Sequence, residues 1–138
     1  MPIKRPRQIS LHFASTMFNP TDSTTYYLSP WGATIQAVEL MGQDISPVSG
    51  RIRKATVVWK KGEVLGTAED ISFYVRTGGV DTLIETIGNT DDPKYFFNKN
   101  LNIAIAEEAP ISIKLVTPAW VTNPTVVYCS ANIIIDTA

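Results

Sequence analysis

Residues Leu101–Ile135 read Leu-Asn-Ile-Ala-Ile-Ala-Glu-Glu-Ala-Pro-Ile-Ser-Ile-Lys-Leu-Val-Thr-Pro-Ala-Trp-Val-Thr-Asn-Pro-Thr-Val-Val-Tyr-Cys-Ser-Ala-Asn-Ile-Ile-Ile. Three strand-like runs are separated by two breaks rich in Pro and Asn. Leu101, Ile103 and Ile105 recur at period two, as do Ile111, Ile113 and Leu115. A strand turns successive side chains to opposite faces, so this spacing sets one apolar face on a core and leaves the other wet. The third run, Val126 to Ile135, is apolar at nearly every position. Continuous apolarity implies cover on both sides. In an antiparallel sandwich the second cover is most simply another subunit, so Val126, Tyr128, Ile133 and Ile135 are expected at an oligomer interface.

Outward from this stretch, Arg51–Lys61 is a strand with Ala55, Val57 and Trp59 on one face. Arg53 extends that side, and Thr56 and Val58 take the other. Ile71, Phe73 and Val75 alternate in the next strand, and Thr82–Ile87 forms another. Arg7–Phe18 alternates through Ile9, Leu11 and Phe13. Thr90–Asn100 reads as a polar connection around Tyr95-Phe96-Phe97, an aromatic lid on one end of the sandwich. Ala33–Leu40 fits a strand or a single helical turn equally well. Met1–Pro6, with two prolines, is expected to be an extended basic arm. Seven or eight short strands with Gly, Pro and Asn turns predict an all-β fold, an antiparallel jelly-roll sandwich of about eight strands. The 138 residues fit one domain, 1–138, with 1–6 as the arm.

Charged residues make up 18% of the chain, below the usual quarter, which suggests that part of the surface is covered by partners. Net charge is −1, so a bulk basic footprint for nucleic acid is absent. The distribution is uneven. Lys4, Arg5 and Arg7 precede the first acid, Arg51–Lys61 carries five cations and no acid, and Gly62–Ala138 holds ten acids against four bases. Such asymmetry orients a protein in an assembly or steers a partner, or simply marks a solvated strand face. No apolar run is long enough for a membrane helix. No apolar segment follows the basic start, so a signal peptide is not expected.

The residues of catalysis are sparse. His12 is the single histidine and Cys129 the single thiol, and they fall in different strands. A nucleophile–base pair and a zinc cluster are therefore not expected. Cys129 reads as a small buried apolar residue in a reducing compartment. The doublets Glu69-Asp70, Asp91-Asp92 and Glu107-Glu108 read as solvated turns, and calcium spacing is absent. Neither a catalytic residue, a metal nor a cofactor is expected. Among the tryptophans Trp31, Trp59 and Trp120, Trp120 with Asn123 in the loop Thr117–Pro124 is the candidate for stacking on a sugar. Pinning of that loop to the sandwich is the commoner role.

Several segments resemble a jelly-roll module of tailed-bacteriophage virions. They are Ala55-Thr56-Val57-Val58-Trp59, Ile71-Ser72-Phe73-Tyr74-Val75-Arg76, Ala104-Ile105-Ala106, and the run Ile111–Val126 with its Thr-Pro-Ala-Trp-Val-Thr-Asn-Pro core. That module occurs in capsid decoration (cement) proteins and in trimeric fibre heads. The resemblance implies a homotrimer with strands meeting near a threefold axis, and no enzymatic activity. A fibre head normally ends a longer chain. A stand-alone module with a short basic arm suits a decoration protein, with Lys4, Arg5 and Arg7 bound to carboxylates of the major capsid protein. Nucleic acid, membrane and small-molecule substrate are not expected as partners. The expected location is the capsid surface, after assembly in a host cytoplasm. A fibre module reading host glycans is the alternative.

Overall fold

The computed structural model describes residues 7–30, 32, 35, 37–89 and 94–137. Lys4, Arg5, Trp31 and the Asp91-Asp92 doublet lie outside the described residues. Nine strands and one helical turn follow in order: β1 Gln8–Ala14, β2 Thr25–Tyr27, α1 Glu39–Gly42, β3 Asp44–Ile45, β4 Gly50–Lys61, β5 Asp70–Thr77, β6 Val80–Gly88, β7 Lys94–Ile105, β8 Pro110–Val116 and β9 Val127–Thr137. One sheet has the order β1-β9-β4-β7 and the other β2-β8-β5-β6, with β3 also on β8. Every pairing is antiparallel. Apart from β2–β3 and the β5–β6 hairpin, which stay within one sheet, successive strands cross from sheet to sheet, as in a jelly roll. The fold is an antiparallel jelly-roll sandwich.

Period-two burial explains the packing. Ile111, Ile113 and Leu115 of β8 and Ile71, Phe73 and Val75 of β5 point inward and are fully covered. Ala55, Val57 and Trp59 of β4 meet them from the other sheet, together with Ala131, Ile133 and Ile135 of β9. A chain of edge-on aromatic contacts crosses between the layers. Phe18 meets Trp59 at 6.5 Å between ring centroids, Trp59 meets Phe73 at 6.0 Å, and Phe73 meets Phe97 at 5.6 Å. Each such pair adds about 0.5–1.5 kcal/mol beyond area burial.

Three sequence expectations change here. A β-bulge falls between Ile52 and Lys54. The extra residue resets the alternation, so Ile52 faces the core while Arg53 stands exposed instead of sharing the inner side with Ala55. The stretch from Lys94 is not a lid but the first half of the twelve-residue edge strand β7. Tyr95 and Phe97 pack on the core, while Phe96 faces out. Polar residues are tolerated there because this strand has a wet face and a free edge. Last, β9 is covered on one side only. Val127, Cys129, Ala131, Ile133 and Ile135 are buried inward, and Tyr128, Ser130, Asn132, Ile134 and Asp136 lie on the outer side. The sandwich itself covers β9.

Candidate functional site

The outer face of the β1-β9-β4-β7 sheet is built from rows of side chains that register places side by side. Gln8, Asp136, Arg51 and Ala104 form one row. Ser10, Ile134, Lys54 and Asn100 form the next, then His12, Asn132, Thr56 and Asn98, then Ala14, Ser130, Val58 and Phe96. Tyr128, Lys60 and Lys94 close the series. The middle row is knitted by hydrogen bonds. His12 Nδ1 lies 2.7 Å from Asn132 Oδ1, and Thr56 Oγ1 donates to Asn98 Oδ1 at 2.6 Å. An amide oxygen only accepts, so Nδ1 of His12 is the donor in this contact.

Charge divides the two sheets. Among the described residues the outer face of this one carries Arg51, Arg53, Lys54, Lys60 and Lys94 against the single acid Asp136. Arg53 Nε pairs with Asp136 Oδ2 at 3.2 Å, and both arginines reach Asn102 Oδ1. Arg51, Lys54, Lys60 and Lys94 have no carboxylate partner among the described residues. The opposite sheet neutralises its cations. Arg76 holds Glu39 at 2.8 Å and Asp81 at 2.9 Å, and Lys114 holds Asp81 at 2.8 Å while lying over the Tyr74 ring. Burial opposes charge on Asp81, but hydrogen bonds from Lys114 and Arg76 outweigh it and keep its carboxyl below the ordinary range. One face is closed electrostatically and the other is open.

Arg7 lies at the start of β1, opposite Thr137. It is exposed; its N–H donates to Thr137 Oγ1 at 2.9 Å, and its carbonyl accepts from Thr137 N at 2.8 Å. The chain therefore enters β1 beside the Asp136–Arg51 row.

The expected oligomer residues fare differently. Ile133 and Ile135 are fully buried within the chain and have no surface to offer a partner. Val126 is a turn residue with φ 56°, held by a hydrogen bond from its N–H to Asn19 Oδ1 at 2.8 Å. Tyr128 alone of the four is exposed. The misreading came from Ile134 and Tyr128, which make an outer face look apolar in sequence although Ser130, Asn132 and Asp136 share it.

The loop expected to stack on a sugar is an anchor. Trp120 is only 5% exposed and packs into the core, and its backbone N–H donates to Asp22 Oδ1 at 3.2 Å. Asn123 Nδ2 donates to Pro20 O at 3.0 Å. A buried indole has no face for a sugar, and Trp59 is buried as well. The loop is braced further by Thr67, whose hydroxyl donates to Glu69 and accepts from Thr122 N. The bond from Thr67 lowers the Glu69 pKa from its ordinary value.

His12 and Cys129 sit on adjacent strands of one sheet but on opposite faces, His12 outward and Cys129 inward. Burial pushes the Cys129 thiol far above its ordinary range. Among the described residues no three His, Cys, Asp or Glu side chains gather in a way that could hold a metal ion. No helix among them is long and apolar enough to cross a membrane.

What fold and face define is a jelly-roll sandwich with one cationic sheet surface. No protein-family model matches the sequence, and no curated relative is found through sequence. Solved structures share the fold. The subviral particle of infectious bursal disease virus VP2 superposes with a TM-score of 0.51 at 15% identity, over 96% of this chain and 33% of that chain. The Gt strain of the same virus gives 0.50 at 12% identity, over 95% of this chain and 33% of that chain. The chain thus spans about a third of the viral proteins it resembles, and at these identities the likeness is one of fold.

Proposed function

We propose that this chain is a structural virion protein, a capsid decoration or cement protein of a tailed phage, that docks through its cationic sheet face and basic N-terminal arm. The observation that carries this reading is the set of cations Arg51, Lys54, Lys60 and Lys94 on one sheet, none with a carboxylate partner among the described residues. Cations without carboxylate partners among the described residues, set on a polar sheet face, suit an acidic protein surface, where complementarity sets orientation and association rate. The jelly-roll fold shared with viral shell proteins supports the same reading. The partner is the major capsid protein. Lys4, Arg5 and Arg7 add contacts to it, and a homotrimer multiplies them by avidity. The trimer contact uses surface that the monomer leaves open away from the cationic face; Ile133 and Ile135 are withdrawn as buried, and Tyr128, which stands on that face, goes to the docking surface. The role is non-enzymatic, and the protein resides on the capsid surface after assembly in the host cytoplasm. The fibre-module alternative lost its stacking residue when Trp120 proved buried.

Deleting Met1–Arg7 tests the arm. The oligomer stays intact, and attachment to capsids weakens and becomes less sensitive to salt, since exposed charges are screened within about 10 Å at 0.1 M. Unchanged attachment would reject the arm's role. Light scattering gives about three times the 15.2 kDa chain mass, and a monomer would reject the trimer.

A further inference from the structure

Where β1 and β4 end and β7 and β9 begin, the cationic sheet face dips into a groove of about 370 Å3. Its apolar lining comes from Ala14, Val58, Phe96 and Tyr128, and its charged lining from Lys60 and Lys94. Register brings these residues together: Ala14, Val58 and Phe96 lie in one row, and Tyr128, Lys60 and Lys94 in the next. Phe96 is 56% exposed and Tyr128 46%. Single exposed aromatics are ordinary on protein surfaces. Here two aromatics and a valine adjoin on a face whose other rows are largely Asn, Ser, Thr and charge, and two lysines flank them without a carboxylate among the described residues.

We infer that this groove receives an apolar side chain of a partner polypeptide flanked by carboxylates. The inference rests on the reading of this face as the docking surface and names the chemistry of its partner. The apolar lining gains free energy only by being covered, and Lys60 and Lys94 each present an ammonium group for a carboxylate beside the inserted side chain. Phe96 lies on edge strand β7, so an extended segment can approach along the sheet margin. A second copy docking through the same face would set these lysines against their own kind, since a twofold contact is self-complementary. A sugar would call for several directional polar partners. Apart from the lysines the lining offers the hydroxyls of Ser15, Ser130 and Tyr128, and that of Ser15 is engaged with the Cys129 backbone.

The test is a titration of the intact chain, followed by amide NMR at low salt, with three capped pentapeptides: Glu-Glu-Phe-Glu-Glu, Gln-Gln-Phe-Gln-Gln and Glu-Glu-Ala-Glu-Glu. The first gives saturable shifts at Phe96, Tyr128 and Ser130. Both controls bind at least tenfold more weakly, and so does the Lys60→Glu, Lys94→Glu double variant, whose remaining spectrum stays that of the folded protein. Equal binding of all three peptides, or no shift at the groove, overturns the inference. Groove shifts that follow protein concentration alone assign the groove to a second copy and overturn it too. Tighter binding of a sialylated oligosaccharide than of the peptide does the same. Capsid attachment is scored separately, for the parent chain and for the double variant. Peptide binding without any capsid attachment sinks the virion reading and keeps the groove, whereas attachment without peptide binding does the reverse.

Discussion

Arg53 Nε lies 3.2 Å from Asp136 Oδ2, across the bulge that breaks the pairing of β4 with β9. Without the bulge the arginine would point into the core, as its spacing from Ala55 suggests. The extra residue sends Ile52 inward and turns Arg53 onto the surface with Arg51 and Lys54. The bulge thus both preserves the core and concentrates cations on one sheet. Being exposed, the pair itself contributes under about 1 kcal/mol. Asp136→Asn therefore barely moves stability, measured by chemical denaturation, and it strengthens capsid attachment by removing the one acid of that face among the described residues. Weaker attachment would contradict the cationic-docking account.

Trp120 is a packing residue. Trp120→Ala is expected to cost about 3–5 kcal/mol, as for other large-to-small core changes. Urea unfolding measures the loss. Glycan arrays show no difference attributable to Trp120 beyond unfolding. A stable variant with lost glycan binding would restore the sugar-stacking role.

Asn89 holds a turn from beneath. Its Nδ2 donates to the carbonyls of Leu65 at 2.9 Å and Thr67 at 2.8 Å, and its Oδ1 accepts from Trp59 Nε1 at 3.4 Å. The side chain is buried, so Asn89→Ala strands three polar groups. Each stranded group costs roughly 1–3 kcal/mol. A loss of at least about 2 kcal/mol is expected in denaturant unfolding, and Asn89→Asp is expected to be less costly than Ala only where its carboxylate is protonated.

Acid weakens the opposite sheet. Asp81 has its folded-state pKa depressed, so its pairing with Lys114 and Arg76 stabilises the fold above the unfolded value of about 3.9. That contribution fades as pH falls from about 4 through the folded value. The pair is partly exposed, so its size is about 1 kcal/mol or less. Thermal unfolding of Asp81→Asn between pH 3 and pH 7 shows a flatter dependence than the parent (roughly the range where unperturbed carboxylates titrate). An identical slope would remove Asp81 from the balance.

Cys129 is fully enclosed, with its thiol pushed toward the neutral form. Reaction with a disulfide reagent needs the thiolate and access. Native protein is expected to react only through opening of β9, at a rate that rises steeply with urea. Fast labelling without denaturant would mean that the β1–β9 end of the sandwich opens freely.

Much of the sandwich was legible from period two. Ile111, Ile113 and Leu115, and Ala55, Val57 and Trp59, have inward burial that alternation alone announces. The bulge at Arg53 was not legible, because one inserted residue leaves no mark in composition. The Lys94–Asn100 part of β7 was hidden by its polarity, which belongs to an edge strand with a wet face. The cation surplus of Arg51–Lys61 was visible as sequence, but its open state depended on where Asp81, Glu39 and Asp136 fell. The groove joins Ala14, Val58, Phe96 and Tyr128 from four strands far apart in the chain, and only register assembles it.

Cryo-electron microscopy of the intact particle tests the central claim most directly. The account predicts density for this chain on the capsid shell, with the β1-β9-β4-β7 face and residues Arg51, Lys54, Lys60 and Lys94 turned toward an acidic capsid surface. Density on the tail alone, or on the shell with that face turned to solvent and the β2-β8-β5-β6 face against the capsid, would contradict it.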